Sequence, residues 1–141
     1  MTTNSNQEKK GDVRSFTIPF TISITYQQVK DLLCSALEEN GSDYWVNGIS
    51  YNYPEGQSSK DYPHIKHRSY ELPLEPDCSI SILYRDGVAK VSQLNLELIT
   101  KGINIMADKF YSHFSDFING KNDSVTADVF LQCCLFGCLI F

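Results

Sequence analysis

The densest group of chemically useful side chains in this 141-residue chain is His64-Ile65-Lys66-His67-Arg68, with Lys60 four positions ahead and Arg14 elsewhere. The chain carries 12 basic and 17 acidic residues, so a basic cluster stands out. Arginine can hold a phosphate through two parallel N–H groups, and lysine adds a point charge. The competing reading is a solvated loop with ordinary surface charge. Two histidines three positions apart could ligate a metal on a helix, but Pro63 opposes a helix there. No carboxylate or cysteine completes the set, and no metal is expected.

Flat rings surround this cluster in sequence. Tyr44, Tyr51, Tyr53, Tyr62 and Tyr70 lie in or beside one irregular region, and Tyr44 adjoins Trp45, the single tryptophan. Rings placed near Lys66, Arg68 or Arg85 suit a ligand with a planar base and a phosphate. The expected ligand-binding residues are Tyr44, Trp45, Tyr51, Lys66, Arg68, Arg85 and Lys101. Tyr44 and Trp45 could equally plug the core, and Tyr, Trp and Arg also enrich protein–protein interfaces.

Catalysis has little support. The sequence has no Gly-x-Ser-x-Gly elbow, no phosphate-binding Gly-Lys-Ser/Thr loop and no His-Glu-x-x-His. Glu38 and Glu39 are helix neighbours that diverge by about 100° and form no acid/base pair. No catalytic residue and no cofactor are expected. The remaining enzymatic alternative is a small nucleotide hydrolase with His64 or His67 as general acid or base.

Composition narrows the partners. A formal charge of −5 disfavours a nucleic-acid polymer or an anionic membrane, since such binding rests on cation–phosphate contacts. No run approaches the roughly 18–20 apolar residues that span a bilayer, and the N-terminus lacks the apolar stretch of a signal peptide, so a cytoplasmic protein is expected. Cys34, Cys78, Cys133, Cys134 and Cys138 form an odd set without Cys-x-x-Cys. They are expected reduced, and the spacing of the last three matches no common zinc site.

The elements that must position these residues read as one α+β domain over 13–141, after a polar, disordered arm at 1–12. Residues 14–24 alternate Phe16, Ile18, Phe20, Ile22 and Ile24 against Ser15, Thr17, Pro19, Thr21 and Ser23. This predicts a half-buried strand, and Pro19 suggests a sheet edge. Thr25 and Gln28 form a capping box for a helix over about 26–40, with Val29, Leu32, Leu33, Ala36 and Leu37 on one face. Gly41 is expected to end it with a positive φ.

A strand follows at 45–53, with a partly exposed aromatic face. Residues 54–77 hold Pro54, Pro63, Pro73 and Pro76 and read as a long loop, with a short extended piece at 69–74. Strands at 78–84 and 88–94 are joined by an Asp86-Gly87 turn. Helices are predicted at 96–119, capped by Asn95, and at 127–136, capped by Thr126. Residues 138–141 are expected to add an apolar edge strand. The expected order is β-α-β-loop-β-β-α-α-β: a small antiparallel or mixed sheet of about five strands packed with two to three helices.

The pattern Ala36-Leu37-Glu38, Gly41 and Tyr44-Trp45, then Leu98, Gly102-Ile103, Ala127-Asp128, Gln132 and Leu135-Phe136-Gly137, resembles the phage-encoded Thoeris anti-defence sponge family. The resemblance covers roughly 16–52 and 80–141. It implies a non-catalytic protein that binds a cyclic ADP-ribose-type signalling nucleotide and withholds it, intact, from a bacterial immune effector. It also implies a homo-oligomer, a dimer or larger, in the cytoplasm of an infected bacterium. The chain departs from that pattern at Glu39-Asn40, where a glycine is expected, and the loop 54–77 lies outside the matching stretches. An interaction protein that inhibits a host protein through an exposed Tyr/Trp surface is the alternative. The apolar end Leu139-Ile140-Phe141 is the expected interface between copies.

Overall fold

A computed structural model of the chain describes residues 14–19 and 21–141. The arm expected at 1–12 lies outside them. The elements are α1 (Tyr26–Leu37), β1 (Val46–Asn52), α2 (Arg68–Glu71), β2 (Ser79–Asp86), β3 (Val88–Leu94), α3 (Leu96–Lys109), α4 (Tyr111–Ile118) and α5 (Ser124–Phe136). The architecture is α+β, with one antiparallel sheet in the order β1-β2-β3. Among the described residues, three strands stand where about five were expected, and five α-helices where two to three were expected.

Local chemistry explains the elements that formed as expected. Thr25 Oγ1 accepts from the Gln28 N–H at 3.1 Å while Gln28 Oε1 accepts from the Thr25 N–H at 2.8 Å, which fixes the start of α1. Val29, Leu32, Leu33 and Ala36 then bury one face. In the hairpin, the ladder runs from Ile80↔Leu94 to Asp86↔Val88, with Gly87 at φ 78° between them. On β2 the buried Ile80, Ile82 and Tyr84 share one face, and the alternate positions Leu83 and Arg85 are exposed on the other.

Five expectations need correction. Among the described residues, 15–19 and 21–25 hold no strand, and Phe16 and Ile18 are exposed. Residues 138–141 form no strand either, because they fold onto Trp45 as described below. The piece at 69–74 is helical, as α2 and a 3₁₀ turn Leu72–Leu74 that carries Pro73 near its start. The helix expected over 96–119 breaks at Phe110 (φ −131°, ψ 55°) into α3 and α4. The last helix starts three residues early because Asp123, not Thr126, caps it, accepting the Thr126 N–H at 3.0 Å.

α5 is the central beam. Every residue from Thr126 to Cys134 is buried, and α1, α3 and α4 all pack on it. A helix apolar all round has no solvent face. Gly102 of α3 lets the backbones meet, since a Cβ there would sit 2.8 Å from Cys134 Cα and collide with its sulfur. All five cysteines are free. No helix among the described residues is long and apolar enough to cross a membrane.

Candidate functional site

The chain reverses sharply after α1. Cys34 O accepts from the N–H groups of both Glu38 and Glu39, and Ser35 O and Ala36 O accept from Gly41 and Ser42. The left-handed residue is Asn40 (φ 75°), not Gly41 as expected. Asparagine tolerates that region better than most residues. Gly41 is needed for a different reason: a Cβ would lie 2.8 Å from Ser35 O and 3.0 Å from Ser124 O, so the turn is pressed against the start of α5.

That turn delivers three donors to one buried acid. Asp128 of α5 is 7% exposed, and its Oδ1 accepts from Ser42 Oγ at 2.7 Å and Trp45 Nε1 at 2.7 Å. Its Oδ2 accepts from Tyr44 Oη at 2.6 Å and Gln132 Nε2 at 3.1 Å. Among the described residues, four donors and no Lys, Arg or His partner meet this carboxylate. Burial first, then hydrogen bonding to Asp128, pushes the Tyr44 hydroxyl up to about 12. Gln132 Oε1 accepts the N–H groups of Ile140 and Phe141, both at 2.9 Å, which folds 138–141 back over the corner. Phe141 stacks on Trp45 with centroids 4.9 Å apart and planes 7° apart, and Tyr84 and Phe136 pack edge-on or tilted around the indole. Trp45 is consequently 4% exposed and its ring belongs to the core. Tyr44 is 66% exposed with its hydroxyl tied down.

The expected residues that meet in a cleft are Tyr51 and Arg68. The cleft, about 300 Å³, lies between the end of α1, β1 and α2. Arg68 Cζ sits 4.1 Å over the Tyr51 ring, and His67 stacks on Tyr70 with centroids 5.1 Å and planes 11° apart. Stacking occupies the face of a guanidinium and leaves the in-plane N–H fork open to an anion. Ser69 Oγ donates to Glu38 Oε2, tying α2 to the end of α1, and Ser35 Oγ donates to Glu39 Oε1 at 3.1 Å. Burial, then the charge of Glu39, pushes the Cys34 thiol up, so it is a poor nucleophile near neutrality.

Lys66, Arg85 and Lys101 are exposed and do not line this cleft. Lys66 contributes its backbone N–H to Glu71 Oε1 at 2.9 Å, and Lys101 pairs with Glu97 at 3.6 Å along α3. A second cleft, about 470 Å³, is lined by Glu75, Asp77 and Glu97 with Ser79, Gln93 and Asn95 and has no cation in its wall. Such a wall offers phosphate no counter-charge, whereas in the first cleft Arg68 and His67 stand beside the carboxylates of Glu38 and Glu39. His64 faces it through Glu75, at 3.2 Å. Among the described residues no group of three potential metal ligands comes together.

Sequence reasoning missed the roles of Asp128, Gln132 and Phe141 at the corner and missed Cys34 and Ser69 in the cleft, and it counted Tyr70 among the stacking rings without placing it in the expected binding set. Asp128 had a signal: an acid inside the apolar run from Ala127 to Leu135 must find donors when buried. No family model, curated protein or solved structure matches this chain.

Proposed function

We propose that this chain is a non-catalytic binder that sequesters a small cyclic nucleotide of the cyclic ADP-ribose type, with the cleft between α1, β1 and α2 as its site. The carrying observation is Arg68 lying 4.1 Å over Tyr51 beside the His67–Tyr70 stack. There the guanidinium fork can take a phosphate, and the rings and the apolar stem of Arg68 can take the base. The raised thiol of Cys34 and the engagement of Glu38 and Glu39 with serine hydroxyls favour holding over turnover. The phage origin, the immune signal as ligand and the bacterial cytoplasm come from the resemblance to the Thoeris anti-defence sponges.

The test is depletion and release. The protein is incubated with cyclic ADP-ribose and its isomers, filtered, heated and assayed for free nucleotide. Loss of ligand from the filtrate before heating, with recovery of the intact molecule afterwards, is the expected result. Absence of depletion sinks the reading, and a changed product turns it into a hydrolase.

A further inference from the structure

Residues 15–19 and 21–24 have the alternation of a strand and none of its bonding. Phe16 is 95%, Ile18 74% and Ile22 40% exposed. Among the described residues, no backbone hydrogen bond joins this segment to the rest of the chain before the Thr25 cap of α1. Ile24 packs on the core of its own chain, so the row left in water is Phe16, Ile18 and Ile22, a face without its partner.

The same molecule carries the complementary feature. β3 pairs with β2 on one side only and is regular from Val88 to Leu94, with neither proline nor bulge. Val88 and Val91 are 62% and 60% exposed, and Leu83, directly across from Val91, is 38% exposed. The other sheet edge, β1, is interrupted by a bulge between Val46 and Gly48, and α2 packs against it. An unpaired, regular edge is a template for an added strand.

We propose that the segment 15–24 of one copy adds to the β3 edge of a second copy, and reciprocally, giving a two-fold strand-exchanged dimer. The segment is not paired with its own sheet, so the edge and the strand that fits it are both available to another molecule. Seven residues of β3 extend about 23 Å at 3.3 Å per residue, which ten residues of segment can follow. Phe16, Ile18 and Ile22 cover the Leu83–Val91 pair on the sheet face away from the buried Ile80, Ile82 and Tyr84. Pro19 has no N–H, so the added strand pairs well on one side alone and a third chain cannot propagate the sheet. Reciprocal exchange therefore closes as a dimer.

Light scattering coupled to size exclusion tests this on the full chain. The expected mass is twice 16.0 kDa. Ile18→Asp on the strand and Val91→Lys on the edge should each return the mass of one chain, with a cooperative thermal unfolding transition and the helical far-ultraviolet circular dichroism retained. Both positions are exposed in the single chain, so neither substitution disturbs its core. Thr17 would point to the face opposite Phe16 and Ile18, the face that Lys90 shares with Tyr84. Mixing a Thr17→Cys chain with a Lys90→Cys chain should therefore give an intermolecular disulfide between those two positions, identified by mass spectrometry. A wild-type monomer, a dimer that survives either substitution in folded protein, or absence of that cross-link overturns the proposal.

Discussion

Trp45 donates its indole N–H to Asp128 Oδ1 at 2.7 Å, across 83 positions of sequence. This bond joins the turn after α1 to the central helix, and it explains why a charged residue survives inside the most apolar element. Asp128→Ala should orphan the buried donors Ser42 Oγ and Trp45 Nε1 and destabilise the chain by about 3–5 kcal/mol, several times the effect of an exposed acid. Urea unfolding followed by the emission of the single tryptophan measures it. A loss under about 1 kcal/mol would show that the network contributes little.

Phe141 covers the indole face, so Phe141→Ala should shift Trp45 emission to longer wavelength as water reaches the ring. Phe141 is itself 36% exposed, and the cost should be about 1–2 kcal/mol rather than the 3–5 of a fully buried phenylalanine. An unshifted spectrum would place 138–141 off the indole in solution.

At the corner, Asn40→Gly should be neutral or slightly stabilising, because Asn40 holds φ 75°. Gly41→Ala, by contrast, forces a methyl against Ser35 O and Ser124 O and should cost about 1–3 kcal/mol. Thermal melting of the two variants distinguishes close approach from left-handed backbone as the reason for the glycine.

Tyr44 gives an alkaline signature. Its folded-state value of about 12 lies above the ordinary 10.0, so the neutral phenol is favoured in the folded chain. That contribution is complete below pH 10, and it is lost as pH rises from 10 towards 12. Tyr62 is pushed to a similar value, chiefly by its hydrogen bond with Cys78, so assignment needs Tyr44→Phe. Phenolate absorbance of the folded protein should lose one late-titrating group in that variant. A normal midpoint for Tyr44 would contradict the bond to Asp128.

For the ligand, Arg68→Ala and Tyr51→Leu should each weaken nucleotide binding at least tenfold, about 1.4 kcal/mol, while Arg85→Ala and Lys101→Ala leave it unchanged. Thermal stability with a panel of cyclic nucleotides reads this out, since ligand at 100 times its dissociation constant stabilises by about 2.7 kcal/mol. Equal losses at Lys101 and Arg68 would move the site away from the cleft.

Periodicity and caps alone determined the α+β class, the start of α1, the β2–β3 hairpin, the asparagine cap of α3 and the glycine that ends α5 at φ 73°. These depend on neighbours within a few positions, where the sequence pattern and the hydrogen bond are the same information. The strand pattern of 14–24 was legible too, but a strand exists only when another edge accepts it, and nothing local supplies that edge. The cleft was half legible: Arg68 and Tyr51 carry recognisable chemistry, whereas Cys34, Ser69 and Tyr70 join them only because α2 packs on α1. The role of Trp45 was decided by tertiary structure alone. Its faces and its N–H are claimed by Phe141 and Asp128, both far away along the chain, and long-range contacts of that kind leave no period in the sequence for a reader to find.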